Sequence, residues 1–180
     1  MKSGLITIKD IARELKISPS TVSRALKNHP DISKETKDAV NELARKSNYQ
    51  PNAVALSLKQ RRSNTIGVII PEIVHYFFSS VISGIEDVAY DAGFNVIICQ
   101  SNEKYDREVV NTRTLLANRV DGILVSISKE TQNFDHFYKV RDNEVPLVFY
   151  DRVVPGFDAD QVIVDDLEAA YRATQHLIEG

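Results

Sequence analysis

Residues 65–180 alternate between short β-branched runs and longer stretches with apolar residues at helical spacing, and this alternation limits the possible folds most strongly. The β-branched runs predict strands at 65–71, 94–99, 122–127, 146–150 and 160–164. The intervening stretches predict helices at 77–92, 105–118, 133–142 and from 165 onward. Strands and helices that alternate through short loops form right-handed crossovers. The pattern therefore predicts an α/β fold with a doubly wound parallel sheet.

Residues 7–28 carry a different pattern, which predicts two short helices joined by a tight turn. Thr7 and Asp10 have the spacing of a capping box at the start of the first helix. Ser18 precedes Pro19 as a cap precedes the first position of a helix, where a missing N–H costs nothing. This is the shape of a helix-turn-helix. An ordinary helical hairpin with a solvated face explains the same caps.

A third helix is predicted at 34–47, with Ser33 as its cap and an apolar stripe at Ala39, Val40, Leu43 and Ala44. Three such helices make only a small core. Because a core of fewer than ~60 residues is marginal, we expect its stability to depend on neighbouring segments or on DNA.

The charge is unevenly distributed along the chain. Residues 1–64 carry a formal charge of +7 and residues 65–180 carry −10. A basic segment is weak evidence for a polyanion-binding domain by itself and becomes stronger on a helix-turn-helix pattern.

Composition argues against several other classes of protein. No apolar run approaches the ~18 residues of a membrane span, and the first ten residues do not form a secretory signal. The single cysteine, Cys99, excludes an internal disulfide framework and fits a reducing cytoplasm, where we expect a buried, inert thiol. Phosphate-binding glycine motifs, a nucleophile elbow and metal-ligand spacings are absent from the sequence. The sequence therefore predicts no enzyme, no cofactor and no metal.

Residues 51–64 join the two regions and contain the segment PNAVALSLK followed by a basic stretch. A helix of under ten residues is unstable alone in water, so either a disordered tether or a segment that becomes ordered on binding fits the pattern. We assign three domains: a headpiece at 1–50, a hinge and linker at 51–64, and a core at 65–180.

Three segments together resemble the lactose/galactose repressor-like (LacI/GalR) family of bacterial transcription regulators. They are TIKDIARELKISPSTVSRALKN, NYQPNAVALSLK and NTIGVIIP, in this order. The resemblance implies an all-α helix-turn-helix headpiece, a hinge helix and a periplasmic-binding-protein-like core of two subdomains. Since the family's core is about twice as long, we expect residues 65–180 to be a truncated core, with the N-subdomain only.

The resemblance also implies a function. Such a protein binds a pseudo-palindromic, double-stranded DNA operator as a homodimer in the cytoplasm, most often as a repressor. A small metabolite, a sugar or sugar derivative, modulates its affinity. Two alternatives are a truncated fragment that binds DNA without responding to an effector, and a bare sugar-binding protein, which the basic headpiece disfavours.

Family positions that contact DNA can be carried over to this chain. Arg24 has the reach and donor geometry for guanine, whereas Pro19 donates no hydrogen bond. Leu58 matches a leucine that wedges into the minor groove and kinks the duplex. The turn has Lys16 where the family usually has glycine. The predicted DNA-binding residues are Pro19, Ser20, Thr21, Ser23 and Arg24 in the second helix, Asn28, Ser33 and Tyr49 at backbone-contacting positions, and Asn52, Ala55, Leu58 and Lys59 in the hinge.

The family's ligand contacts cluster where strands end, because open α/β sheets bind ligands at the carboxyl ends of their strands. Phe77 and Phe78 follow the first strand and resemble an aromatic pair that stacks on ligands. Asp151 and Arg152 follow the fourth strand, and Asp165 lies where the last helix begins. Each group also has a structural alternative. It is core packing for Phe77 or Phe78, a loop ion pair for Asp151 and Arg152, and a helix cap for Asp165.

Overall fold

The computed structural model describes residues 6–50 and 62–180. These residues fall into two compact units, one within 1–56 and the other within 57–180, and each is described by itself. The predicted hinge residues Asn52, Ala55, Leu58 and Lys59 lie outside the described residues.

The first unit contains three helices, α1 (Ile8–Glu14), α2 (Pro19–Leu26) and α3 (Lys34–Lys46). Ser18 caps α2 by accepting a hydrogen bond from the Thr21 N–H at 3.1 Å. Ser33 caps α3 by accepting one from Thr36 at 3.3 Å. These bonds satisfy N–H groups that have no partner within the helix. The predicted starts of both helices are therefore confirmed.

α1, α2 and α3 pack around a small apolar core. Its fully buried members are Ile11, Ala12, Val22, Ala25, Val40 and Ala44. Ala39, expected in the apolar stripe of α3, is exposed instead. Val40 and Ala44, four residues apart, form the buried face and turn Ala39 toward solvent.

The second unit contains a five-stranded sheet in which every pair of neighbouring strands is parallel. The strand order is β2-β1-β3-β4-β5, which confirms the predicted doubly wound architecture. The elements are β1 (Thr65–Ile70), α4 (Tyr76–Asp91), β2 (Asn95–Gln100), α5 (Tyr105–Ala117), β3 (Gly122–Val125), α6 (Asp135–Asp142), β4 (Leu147–Tyr150), β5 (Asp160–Val162) and α7 (Asp166–Glu179).

Two strands end two residues earlier than predicted. β5 ends at Val162 rather than at 164. β3 ends at Val125 rather than at 127: its last paired residue in the ladder with β1 is Val125, opposite Ile69, and the Ser126 N–H donates to the Ile69 carbonyl at 3.1 Å. The backbone N–H of Ser128 donates to the buried carboxylate of Glu108 at 2.6 Å instead of to a neighbouring strand.

Helices cover both faces of the sheet. Val68 and Ile70 of β1 pack with Phe78 and Ile82 of α4 on one face. On the other face, Ile69 packs in a cluster with buried residues of α5 and α6. Successive strand residues point to opposite faces, so a β-branched run without alternation suits a strand buried on both sides.

Gly67 marks the closest approach of a helix to the sheet. A Cβ at this position would lie 2.6 Å from Cδ1 of Leu115, which is shorter than any normal contact. The missing side chain lets α5 pack directly on β1.

The edges of the second unit expose apolar side chains. On the edge strand β2, Ile97 and Ile98 are more than one-third exposed. Cys99 is half-buried rather than fully buried, and burial raises the pKa of its thiol. α7 has no buried residue, and its Leu167 and Leu177 are more than four-fifths exposed. None of the described helices is both long and apolar enough to span a membrane.

Candidate DNA-binding surface and ligand site

The exposed side of α2 carries polar residues and one cation. Pro19, Ser20 and Arg24 are exposed, and Thr21 and Ser23 are partly buried. Since Val22 and Ala25 are buried in the core on the opposite side, these five predicted contact residues lie on the accessible part of the helix and near its N-terminal end. The Arg24 side chain makes no hydrogen bond or ion pair with other described residues, so its guanidinium is available to a partner.

The turn between α1 and α2 depends on the unusual backbone of Lys16. Its φ is +54°, in the left-handed region that favours glycine. Directly after it, the Ile17 N–H donates to the Ala12 carbonyl at 3.0 Å and closes the end of α1. Lysine therefore takes the conformation that glycine usually provides, at a cost of about 1–2 kcal/mol.

The three predicted backbone-contacting residues lie at the ends of α2 and α3. Asn28 is exposed with a φ of +54°, a conformation that asparagine tolerates better than most residues. Ser33 is exposed, and its hydroxyl caps α3. Tyr49 is half-buried against the three-helix core, and burial raises the pKa of its hydroxyl.

In the second unit, the carboxyl ends of the strands bring four of the five predicted ligand residues close together. The guanidinium carbon of Arg152 lies 5.9 Å from the centroid of the Phe78 ring. Phe77 packs edge-to-face on Phe78 with ring centroids 5.2 Å apart, and its side chain is half-exposed. Arg152 Nε lies 3.9 Å from Asp151 Oδ2. Phe78 is also buried in a core cluster of the second unit, so the alternative of core packing is confirmed for this residue.

Asp165 behaves as a helix cap. Its carboxylate accepts a hydrogen bond from the Glu168 N–H at 2.9 Å at the start of α7. No hydrogen bond or ion pair joins it to the other four predicted ligand residues in the described part of the chain.

Two residues that the sequence analysis missed complete this edge of the sheet. Glu103, after β2, accepts hydrogen bonds from Arg152 Nη1 at 2.8 and 2.9 Å. Ser126, directly after β3, donates through its hydroxyl to Asp151 Oδ2 at 3.0 Å. The rule that ligands bind at the carboxyl ends of strands, applied after β2 and β3 as well as after β1 and β4, identifies both positions.

The same edge contains left-handed backbone that no helix end explains. Asn102, Glu103 and Asp151 have φ values of +54°, +58° and +60°. Such conformations cost free energy and persist where the surrounding structure imposes them, often at functional sites. The clustering of three of them beside Arg152 marks this edge as the candidate ligand site.

A buried polar network lies next to this site. The carboxylate of Glu108, in α5, accepts hydrogen bonds from the Ser128 N–H, the Ser128 hydroxyl at 2.8 Å and the Thr131 hydroxyl at 2.8 Å. Ser128 Oγ also lies 2.7 Å from Ser101 Oγ, at the end of β2. These hydrogen bonds therefore connect the segment after β3 both to α5 and to the loop that contains Ser101 and precedes Glu103.

The described residues thus form a capped helix-turn-helix with an exposed arginine and, in the second unit, a doubly wound sheet with a polar site at its carboxyl edge. The profile of the family "Bacterial regulatory proteins, lacI family" matches residues 7–52. The profile "Periplasmic binding proteins and sugar binding domain of LacI family" matches residues 63–180. The chain belongs to the lacI family of bacterial regulatory proteins.

Individual relatives agree with this membership. Catabolite control protein A of Priestia megaterium is 33% identical over 175 residues, which cover 97% of this chain and 52% of the relative. The HTH-type transcriptional repressor PurR of Vibrio atlanticus (strain LGP32) is 35% identical over 175 residues, with the same two coverages. The crystal structure of the Lac repressor dimer bound to operator and the anti-inducer ONPF is similar with a TM-score of 0.81 at 23% identity, over 98% of this chain and 53% of that one.

These similarities confirm the predicted family and fold class. Because the family consists of transcription regulators, the prediction that the chain is not an enzyme is confirmed as well. The chain spans about half the length of the curated relatives it matches.

Proposed function

We propose that this chain is a sequence-specific DNA-binding transcriptional repressor that binds a pseudo-palindromic operator as a homodimer. In this proposal a small metabolite, a sugar or sugar derivative, modulates the affinity, and the protein acts in the bacterial cytoplasm, where the operator is. The observation that carries the proposal is the exposed Arg24, which has no hydrogen-bond or ion-pair partner within residues 6–50 and 62–180, on a capped second helix in a chain of this family.

The direct contacts of α2 with bases are expected to be few. Pro19 has no donor, and Ser20, Thr21 and Ser23 can bond either phosphates or bases. Arg24 is the only one of the five with a bidentate donor pair for guanine O6 and N7. Asn28, Ser33 and Tyr49 are proposed to contact the DNA backbone, which sets the register without specifying sequence.

The hinge is proposed to supply the remaining specificity. In this proposal Leu58 enters the minor groove, and Asn52, Ala55 and Lys59 flank it. Unstacking a base step costs a few kcal/mol and is cheapest at deformable steps, so a wedge selects sequence through DNA deformability. Two hinges from a dimer would do this side by side at the centre of the operator.

Exposed apolar side chains on the second unit support dimerisation. Ile97 and Ile98 on the edge strand β2, together with Val88 and Tyr90 of α4, are more than one-third exposed. Large exposed apolar side chains are candidates for contacts at protein interaction surfaces. Association of two copies would also present two headpieces to the two halves of a palindromic operator.

Effector binding is proposed at the carboxyl edge of the sheet, where Phe77, Phe78, Asp151 and Arg152 lie together. Aromatic rings stack on the apolar faces of sugars, and charged side chains orient their hydroxyl groups. Asp165 is proposed as a further ligand contact from the start of α7, although its observed partner is its own helix.

Selection of bound DNA from a random pool tests the DNA-binding proposal. We expect enrichment of a pseudo-palindrome whose central step is deformable. Repeating the binding at several salt concentrations counts the phosphate contacts from the slope. A pool that yields no enriched sequence, or enrichment of a single half-site without symmetry, would contradict the dimeric regulator.

A second candidate function is DNA binding without an effector response. It is considered because the chain spans about half the length of the curated relatives it matches. Measuring operator affinity with and without metabolites distinguishes this candidate from the effector-modulated repressor. If any metabolite changes the operator affinity, DNA binding without an effector response is excluded.

A further inference from the structure

The carboxylate of Glu103 pairs with one nitrogen, Nη1, of the Arg152 guanidinium at the candidate ligand site. Arg152 Nη1 donates to both carboxylate oxygens, at 2.9 and 2.8 Å. The Lys129 N–H donates to Oε2 of the same carboxylate at 2.8 Å. The two paired side chains are 30% and 21% exposed, so the ion pair is partly shielded from water but open to a ligand.

The backbone holds Glu103 in place at an energetic cost. Asn102 and Glu103 are consecutive residues with φ values of +54° and +58°, and glutamate has no side-chain feature that favours this region. The Asn102 N–H donates to the Pro71 carbonyl at 2.8 Å, and the Lys104 N–H donates to the Ser101 carbonyl at 3.2 Å. The surrounding loops thus impose a strained conformation that directs the carboxylate to Arg152.

The charges at this site balance. Two cations, Arg152 and Lys129, face two carboxylates, Glu103 and Asp151. Burial alone would raise the pKa of Glu103, but hydrogen bonds from the Lys129 N–H and from Arg152, and the charges of both residues, outweigh it and lower the pKa. Glu103 is therefore ionised at neutral pH, and the cluster offers no excess positive charge to an anion.

We propose that Glu103 is a specificity-determining residue that excludes anionic ligands from Arg152 and thereby selects an uncharged, hydroxyl-rich ligand. A phosphate or carboxylate group that binds Arg152 must either displace the Glu103 carboxylate from Nη1 or bind the remaining guanidinium nitrogens beside Glu103 and Asp151, and both arrangements place like charges close together. A hydroxyl group, in contrast, can donate to either carboxylate without displacing the ion pair. This inference rests on the proposed effector site, and it does not depend on DNA binding.

Titration with inorganic phosphate tests the inference. The probe is the Nε–Hε NMR signal of Arg152 in the whole chain, at constant ionic strength and neutral pH. The variant is Glu103→Gln, whose amide oxygen can still accept the Lys129 N–H and keep the loop in place. We expect no saturable change at Arg152 in the native chain, and saturable phosphate binding at least ten-fold tighter in Glu103→Gln.

The matched control is Glu130→Gln. Glu130 is a nearby exposed carboxylate that pairs with Lys104 rather than with Arg152, so its loss should leave the Arg152 signal as in the native chain. Phosphate binding at Arg152 that is equally tight in the native chain and in Glu103→Gln would overturn the inference, and so would its absence from both. Because the signal reports Arg152 alone, failure here is distinguishable from failure of the regulator proposal, which the DNA selection measures.

Discussion

His136 Nε2 lies 2.9 Å from Glu108 Oε1, and both side chains are at least 97% buried. Since a carboxylate only accepts hydrogen bonds, the His136 ring donates through Nε2. Its Nδ1 has no hydrogen-bond partner among the described residues. The pair completes the set of donors around Glu108, which also comprises the Ser128 N–H, the Ser128 hydroxyl and the Thr131 hydroxyl.

Removal of the Glu108 carboxylate should destabilise the second unit strongly. In Glu108→Ala, the Ser128 N–H, the Thr131 hydroxyl and His136 Nε2 lose their acceptor while they remain buried. We expect the free energy of unfolding to fall by about 3 kcal/mol or more, measured by urea denaturation. Glu130→Ala, which removes an exposed carboxylate, should change it by no more than about 0.5 kcal/mol. Equal losses in the two variants would contradict the assigned network.

Replacement of Lys16 by glycine should stabilise the headpiece. A left-handed L-residue costs about 1–2 kcal/mol, and the greater freedom of glycine in the unfolded chain offsets about 0.5–1 kcal/mol of the gain. We therefore expect Lys16→Gly to raise the free energy of unfolding of the three-helix unit by roughly 0.5–1 kcal/mol. Thermal unfolding followed by helical circular dichroism measures it. Lys16→Ala retains the strain and should give no such gain; a gain of the same size would show that loss of charge is the cause.

Arg24→Ala should weaken operator binding by about 1–3 kcal/mol and relax base preference at one position per half-site. The reason is that Arg24 is the one exposed bidentate donor on α2. Binding to a panel of single-base operator variants measures both effects. Lys27→Ala removes a cation from the end of the same helix and should leave base preference unchanged. If Arg24→Ala weakened binding uniformly across the panel, Arg24 would contact phosphate instead.

Leu58→Ala should weaken operator binding markedly and leave the second unit folded. The expected cause is the loss of the apolar wedge that stabilises the kinked base step. Gel-shift titration measures the affinity, and thermal unfolding checks the fold. The neighbouring variant Ser57→Ala should bind nearly as the native chain does. Unchanged affinity in Leu58→Ala would exclude the minor-groove role.

The Glu103–Arg152 pair should make stability depend on pH. The pKa of Glu103 in the folded chain lies below its ordinary value of 4.5, so the carboxylate stabilises the folded state above pH 4.5. This contribution should be lost as the pH falls through the lowered pKa, because both states are then protonated. We expect the stability difference between the native chain and Glu103→Gln to disappear in that acidic range. Urea denaturation at several pH values measures it, and a difference that is independent of pH would contradict the ion pair.

Local sequence patterns predicted the helices and strands well because the interactions that form these elements join residues close together in the sequence. Ser18 and Ser33 cap helices through bonds to residues three positions later, and Gly93 follows the end of α4 with a φ of +77°. The β-branched runs predicted strands because side chains buried on both faces need no polar alternation. The ends of β3 and β5 were wrong by two residues. After β3, the Ser128 N–H bonds the Glu108 carboxylate, 20 residues earlier in the chain, and no local pattern contains such an interaction.

The candidate ligand site was predicted in part. The order of strands and helices placed Phe77, Phe78, Asp151 and Arg152 after strand ends, and the rule for open sheets brought them to one edge. Glu103 escaped notice because its partner lies 49 residues later in the chain, and the loop after β2 has no motif of its own. For Asp165, the structure shows only the cap that the sequence pattern also allowed.

The amino-acid sequence by itself determined the helices, the strands, their parallel connection and the family, because capping, periodicity and motif spacing depend on neighbours within a few residues. Only the tertiary structure decided which side chains at the carboxyl edge of the sheet pair with one another. There, Glu103 neutralises Arg152 and Ser126 holds Asp151, across separations of 49 and 25 residues. Such pairings depend on strand order and on the strained loops between strands, which bring distant charges within hydrogen-bond distance.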